Sequence, residues 1–316
     1  MADNWSINRD KVLHSCERKY FFHYILHARI NSRDPLLKEI ALLKKMKNLH
    51  LWKGGLFHEM VEKYLCQEAF EKSSDYSSLI ARYNEITKLQ WMNSSKQQYD
   101  PKNLGKGDNI LLMEHEYGME LPQTVEQVIT ENEKNFINFY TWANQNGLIK
   151  QINEAKKYWI EPDLFRKDAS SFFLNGKKIF AKVDLAILNS DDTFDIYDWK
   201  SGRSRKTSYW DMDSDELQMS VYQLWPHFQF DRAFNDIRAH LVYFGENPIN
   251  HNLFSMDENK KELIVNLIKT SMKRVEKFEK LLEDEKKPIK HFDFASSTRI
   301  CYNCVYKRIC RRDIES

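Results

Sequence analysis

Residues 195–203 read DIYDWKSGR, and this stretch places charged side chains where a buried strand would have apolar ones. Its apolar residues favour burial in an extended strand, whereas Asp198 and Lys200 share one face, because side chains alternate with a period of two. A second strand-like stretch, AKVDLAIL at 181–188, carries Asp184 14 residues before Asp198. We expect two neighbouring strands that bring both carboxylates and the lysine to one end of a sheet.

The composition is that of a folded, helix-rich protein. Of 316 residues, 42% are apolar, and only 9 are glycine and 7 proline, which argues against disorder. The formal charge of +2 is too small to imply a nucleic-acid partner, so any basic surface must come from local clustering. The polar N-terminus and the lack of a run of 18 apolar residues predict a cytoplasmic protein with no membrane segment.

The pattern along the chain predicts an α/β protein in three parts. Residues 1–150 read as helices, 151–250 as three strands, a helix and a fourth strand, and 251–316 as a long helix with a cysteine-rich tail. These parts are expected to form one integrated domain around a small, mixed four-stranded sheet flanked by helices. Within the first part, one helix is expected to begin at Ser6 or Asn8 and another after Gly54–Gly55.

The two carboxylates and the lysine predict a metal-dependent hydrolytic site. Asp184 and Asp198 would repel each other when both are ionised, and a divalent cation would compensate that charge. Hard oxygen ligands suit Mg²⁺ or Mn²⁺. Lys200 could then orient or deprotonate an attacking water, or neutralise charge on a phosphate.

The order of these residues resembles the active-site signature of the PD-(D/E)XK nuclease superfamily. Gln218 and Tyr222, in LQMSVYQLW, resemble the Q-x-x-x-Y motif of its RecB-like branch, and His58, in GGLFHEM, resembles that branch's helical histidine. The resemblance implies a restriction-endonuclease-like core in which His58 joins Asp184 and Asp198 as a metal ligand. It also implies that Lys200 is catalytic, that Gln218 braces the site and that Tyr222 supports it or contacts DNA.

Four of the five cysteines form a pattern of their own. CYNCVYKRIC places Cys301, Cys304 and Cys310 in a C-x2-C-x5-C array, and Cys16 lies in the first predicted helix. This arrangement is similar to the iron–sulfur site of RecB-like nucleases, including AddB nuclease domains and CRISPR-associated adaptation exonucleases. It implies a 4Fe–4S cluster that acts as a C-terminal Fe–S staple between the first helix and the last segment, with Zn²⁺ as the alternative. Cys66 is expected to lie in the core.

The resemblance also implies a substrate and a reaction. It implies a DNA exonuclease that acts on single-stranded or frayed ends in repair, recombination or phage defence. Arg203, Arg205 and Lys206 follow Lys200 closely in the sequence, and basic groups beside an active site would hold DNA phosphates. No phosphate-binding G-x-x-x-x-G-K-[ST] loop occurs, so a helicase or another defence or repair subunit would be a separate partner. Two alternatives stay open: a non-catalytic Fe–S DNA-binding or scaffolding subunit, and a restriction-type endonuclease.

Overall fold

The computed structural model describes residues 4–26, 30–71, 75–160, 170–284 and 288–310, and it shows helices packed around a central β-sheet. The α-helices are α1 Ile7–Ser15, α2 Glu17–Tyr20, α3 Pro35–Lys45, α4 Leu49–Glu71, α5 Tyr76–Ser95, α6 Met113–Glu116, α7 Val125–Gln145, α8 Leu148–Glu154, α9 Ser214–Phe230, α10 Glu258–Asp284, α11 Thr298–Tyr302 and α12 Lys307–Cys310. The β-strands are β1 Asn4–Ser6, β2 Lys157–Ile160, β3 Ser171–Leu174, β4 Lys177–Phe180, β5 Leu185–Leu188, β6 Phe194–Lys200, β7 Ser208–Tyr209, β8 Met212–Asp213, β9 Ile237–Tyr243 and β10 Asn250–Phe254.

The central sheet has five strands in the order β10-β9-β6-β5-β2. β6 and β9 run parallel, and the other neighbouring pairs are antiparallel, so the sheet is mixed. The prediction of four strands is therefore wrong. The added strand is β10, which lies at the edge and alternates between exposed and half-buried residues. Its sequence, NHNLF, contains few residues that favour a strand, so the local pattern does not predict it. The strand forms because it pairs with β9.

A second, three-stranded sheet has the order β1-β4-β3. The stretch 177–188, KKIFAKVDLAIL, is divided between the two sheets: β4 belongs to this one, and β5 belongs to the central sheet. β1 pairs in parallel with β4, with Trp5 opposite Ile179. The N-terminal residues are thereby attached to the part of the chain that carries the carboxylates.

The middle strand of the central sheet, β6, is buried on both faces. Phe194 and Ile196 pack into an apolar cluster with α9 and α10, whereas Tyr197 and Trp199 pack into another with α4, α7 and α8. Helices on both sides explain why successive residues of this strand are buried instead of alternating between the core and solvent. Among the residues that the structure describes, every helix is too short or too polar to span a bilayer.

Helix α4 begins earlier than its sequence predicts. It starts at Leu49 and includes Gly54 and Gly55, which were expected to precede it. The Asn48 side chain accepts the Leu51 amide at 2.8 Å, and the buried Glu114 carboxylate accepts the Leu49 amide at 3.0 Å. These contacts satisfy amides that a helix start leaves without partners. Because Glu114 is distant in sequence, the local pattern could not reveal this start.

The buried carboxylate of Asp195, near the start of β6, connects this strand to α8, to β9 and to the turn after β5. It accepts hydrogen bonds from the side chains of Gln151, Asn189, Arg238 and His240. Burial alone would raise the pKa of Asp195, but the hydrogen bonds from His240, Arg238 and Asn189 outweigh it and hold the pKa at about 2. The carboxylate is therefore stable in its ionised form within the fold.

This carboxylate is expected to make the protein sensitive to acid. Its folded-state pKa lies below the ordinary value near 3.9, so its contribution of about 2 kcal/mol is present above pH 4 and is lost as the pH falls towards 2. Urea unfolding at pH 7, 5 and 3 would measure this loss. Asp195→Asn should lower stability at pH 7 and weaken the decline below pH 4; an unchanged decline would contradict the assignment.

Candidate active site

The ends of β5 and β6 bring the two predicted carboxylates together. Asp184 lies directly before β5, and its amide donates to the Tyr197 carbonyl at 3.2 Å. Its Oδ2 accepts the Trp199 amide at 2.7 Å, which fixes the carboxylate beside the strand that carries Asp198. Both aspartates are buried, with 8% and 3% of their surface exposed. The antiparallel pairing thus gives the juxtaposition expected from their spacing.

His58 reaches the same place from α4. Its Nδ1 lies 3.2 Å from Asp184 Oδ1. Burial by itself would lower the pKa of His58, but the charge of Asp184 and the hydrogen bond to it raise that pKa to about 9. Burial would likewise raise the pKa of Asp184, but His58 lowers it below its ordinary value. The two side chains therefore form an ion pair.

Lys200, Gln218 and Tyr222 surround the second carboxylate. Lys200 Nζ lies 2.5 Å from Asp198 Oδ2, so the two residues share one face of β6 as expected. Gln218 Nε2, from α9, donates to Asp198 Oδ1 and to the Tyr222 hydroxyl, each at 2.9 Å. Burial and the nearby Asp184 raise the pKa of Asp198, although Lys200 opposes that shift. Gln218 therefore orients Asp198, and Tyr222 orients Gln218.

These side chains are not preassembled as a metal centre. Within the part of the chain that the structure describes, no three His, Cys, Asp or Glu side chains are arranged to hold a metal ion. The donor set of His58, Asp184 and Asp198 nevertheless fits a divalent cation, because it combines two carboxylates with one imidazole. Asp198 Oδ2 is buried and lies 2.5 Å from Lys200 Nζ, so a bound cation would share this carboxylate with the lysine.

A cleft of about 820 Å³ opens above these residues. His58 and Lys200 line it, together with Gly54 and Gly55 of α4 and cationic side chains that belong to three segments of the chain. Those side chains are Lys53, Lys134, Arg203 and Arg205. Two of the three predicted DNA contacts, Arg203 and Arg205, thus face the cleft, whereas the third, Lys206, is exposed but does not line it.

Two further charged residues near Lys200 are not evident in the sequence. Burial and the charge of Lys200 both lower the pKa of Lys11 in α1, and Asp215 in α9 accepts a hydrogen bond from the Tyr243 hydroxyl. Neither belongs to a recognisable motif. Glu161, which follows the first strand-like stretch of the predicted core and is a candidate for a further acidic group, lies outside the described residues.

The four predicted cluster cysteines line one cavity of about 410 Å³. Cys16 lies between α1 and α2, and the other three are Cys301, Cys304 and Cys310. Burial raises the pKa of Cys310 to about 11 and also raises that of Cys304. Burial thus favours the protonated form of these two thiols. Among the described residues, the four cysteines form no preassembled metal site. The donor chemistry fits a metal cluster, but the cluster itself remains a prediction.

The fifth cysteine, Cys66, is half-buried and packs against the apolar core around α4.

The two chain segments that carry these cysteines are also joined directly through Arg18. This residue is 7% exposed, and its guanidinium donates to the carbonyls of Phe292 at 3.0 Å and Cys310 at 3.2 Å. The same guanidinium lies 3.8 Å from the centre of the Phe294 ring. The contact between the first helices and the tail therefore does not depend on a metal alone.

We expect Arg18→Ala to destabilise the protein by about 3 kcal/mol even without metal, because two buried carbonyls lose charged donors. Urea unfolding after treatment with EDTA would measure the change. Arg33→Ala, which removes an exposed arginine, serves as the control and should stay within about 0.5 kcal/mol of wild type. Equal stability of the two variants would show that the tail is held by other contacts.

Comparison with known proteins identifies the family. No curated protein matches the sequence. The crystal structure of SSO0001 matches at 13% identity over 72% of this chain and 97% of its own, with a TM-score of 0.29, which does not establish a common fold. The model of the PD-(D/E)XK nuclease superfamily, whose members are generally nucleases and commonly use Mg²⁺ or Mn²⁺, matches residues 4–311. This chain therefore belongs to the PD-(D/E)XK nuclease superfamily.

Proposed function

We propose that this protein is a divalent-metal-dependent deoxyribonuclease of the RecB-like branch, which acts as an exonuclease on single-stranded or frayed DNA ends. The observation that carries the proposal is the convergence of Asp184, Asp198, Lys200 and His58 at one end of the central sheet, beneath a cleft lined with cations. Superfamily membership supports phosphodiester hydrolysis, and the RecB-like motif at Gln218 and Tyr222 supports the branch.

Each residue has a separate task in this proposal. Asp184, Asp198 and His58 would hold Mg²⁺ or Mn²⁺, which supplies Lewis-acid activation and charge neutralisation when bound. The Trp199 amide and Gln218 keep the two carboxylates oriented. Lys200 supplies a positive charge beside Asp198, where it can stabilise charge that develops on the phosphate.

The proposed second cofactor is a 4Fe–4S cluster held by Cys16, Cys301, Cys304 and Cys310. The shared cavity of the four cysteines supports it, because four thiolates are the usual ligands of such a cluster. Its role would be structural, since it would link segments that are almost 300 residues apart. Metal analysis and the visible spectrum of anaerobically purified protein would distinguish iron from zinc.

Cleavage of end-labelled single- and double-stranded DNA would test the proposed function. Anaerobically purified protein should degrade the DNA with Mn²⁺ or Mg²⁺ and not with EDTA, and the product ladder would show whether cleavage proceeds from an end. Asp198→Asn serves as the matched control, because it retains the shape of the side chain and removes its charge.

Equal products from Asp198→Asn and wild type would indicate a contaminating nuclease. Intact DNA that is still bound by the wild-type protein would support the alternative of a non-catalytic DNA-binding subunit. Cleavage within a closed circular DNA would instead favour an endonuclease.

A further inference from the structure

The catalytic cleft continues into a second cavity of about 720 Å³. Residues Gly245–His251, which connect β9 to β10 and begin that strand, form most of its wall. The two cavities meet at three residues that line both of them, Lys134, Arg203 and Gly245. His58 and Lys200 line only the first cavity. The second cavity is therefore an extension of the cleft away from the candidate catalytic residues.

The backbone at this junction is held tightly. Asn135 of α7 donates to the Ser201 carbonyl at 2.9 Å, and Asn138 of the same helix donates to the Phe244 carbonyl at 2.9 Å. The Phe244 amide in turn donates to the Lys200 carbonyl at 2.8 Å. Helix α7 and the ends of β6 and β9 are thus fixed relative to one another, so the junction has a defined shape.

The two cationic side chains at the junction form no ion pair with the described residues. Among the described residues, neither Lys134 nor Arg203 forms an ion pair, and both are exposed. Lys53, in the same cleft, is by contrast paired, since its Nζ lies 2.7 Å from Glu131 Oε2. Two unpaired cations that face one narrow region create a positive field that favours an anion.

The acidic residues that line the two cavities do not compensate this field. Glu131 is paired with Lys53, so its charge is offset within the first cavity. Glu246, in the wall of the second cavity, accepts the Ser204 amide at 2.5 Å and keeps its negative charge, so at the junction two cations face one carboxylate and the net charge is positive. The anion that fits a cleft leading away from a phosphodiesterase site is another phosphate of the same substrate. A nucleic-acid strand presents such phosphates at regular intervals.

We propose that Lys134 and Arg203 form a second phosphate-binding subsite, which holds a phosphate of a nucleotide adjacent to the one being cleaved. The inference rests on the proposed nuclease function and adds the course of the strand: from the cleft above Lys200, past Gly245, into the second cavity. The rigid backbone fixes the position of the two cations, and their charges bind the strand without reading its bases.

Salt-dependent binding tests this subsite directly. The affinity of the whole protein for a labelled oligothymidylate would be measured over a range of salt concentrations, with Ca²⁺ replacing Mg²⁺ to limit cleavage. The slope of log affinity against log salt is negative, and Lys134→Gln and Arg203→Gln should each make it less negative by about 0.7, the value for one contact to a single-stranded phosphate. The double variant should reduce its magnitude by about twice that amount.

The matched control is Lys273→Gln, which removes an exposed lysine that lines neither cavity. It should bind with the wild-type slope. Slopes for Lys134→Gln and Arg203→Gln that equal the control would overturn the subsite, provided that circular dichroism shows folded protein. Lys134→Ala and Arg203→Ala, which also remove the charge, replace any variant that does not fold. Because no hydrolysis is measured, an inactive wild-type protein would refute the proposed function and leave this result unaffected.

Discussion

Lys200→Met is expected to reduce DNA hydrolysis by at least a hundredfold, equivalent to about 3 kcal/mol of transition-state stabilisation. Methionine retains most of the length of the side chain but removes the positive charge that lies 2.5 Å from Asp198. The loss should appear in kcat under saturating DNA, because the Lys200 charge lies beside Asp198 and is proposed to stabilise the transition state rather than to hold the DNA. Single-turnover cleavage with Mn²⁺ would measure it.

Lys200→Arg provides the control for this prediction. Arginine retains the positive charge but is planar and larger, so it should keep more activity than methionine and less than lysine. A wild-type rate for Lys200→Met would exclude Lys200 from the reaction. Equal rates for the arginine and methionine variants would show that more than charge is required of this side chain.

Gly245→Ala is expected to destabilise the protein by about 3 kcal/mol, the upper end of the usual cost of overpacking. A Cβ atom at this position would lie 2.5 Å from the Ser201 carbonyl oxygen and 2.6 Å from that of Gly202. Both neighbours are backbone atoms, so the strain can be relieved only by moving the ends of β6 and β9 apart. Urea unfolding would measure the loss, and DNA hydrolysis should fall with it.

Gly54→Ala is the matched control, because it adds the same atom to another glycine of the cleft. Its Cβ would lie 3.7 Å from the Ser201 hydroxyl, an ordinary contact, and the residue is inside α4. Removing a glycine from a helix interior stabilises it by up to about 1 kcal/mol. Opposite effects of the two substitutions would confirm that the backbone contact at Gly245 is responsible; equal effects would contradict it.

The parts of the candidate site that the sequence revealed are those with short, regular spacing. Asp198 and Lys200 follow the two-residue period of a strand, and Gln218 and Tyr222 follow the four-residue period of a helix. Each pair is in contact in the structure. The distant partner His58 came from family resemblance, since no local pattern links α4 to the sheet.

The features that the sequence did not reveal depend on contacts between distant residues. The fifth strand forms because β10 pairs with β9, and the start of α4 depends on Glu114. Asp195 lies in the same stretch as Asp198, yet its role as a buried hydrogen-bond acceptor requires Arg238 and His240 to be brought next to it. Lys134 was missed for a similar reason: an exposed helical lysine carries no sign of facing a cleft until the fold is known.

The attachment of the N-terminal residues to the end of the chain has a consequence for biosynthesis. The Trp5 indole donates to the Ser271 hydroxyl at 2.9 Å, Asp10 accepts from that same hydroxyl, and Arg18 binds the Cys310 carbonyl. More than 250 residues separate the two partners in each contact. At ordinary translation rates, the second partner is therefore synthesised on the order of tens of seconds after the first. The contacts of Trp5, Asp10 and Arg18 with these residues therefore form only after the segments around residues 271 and 310 have been synthesised.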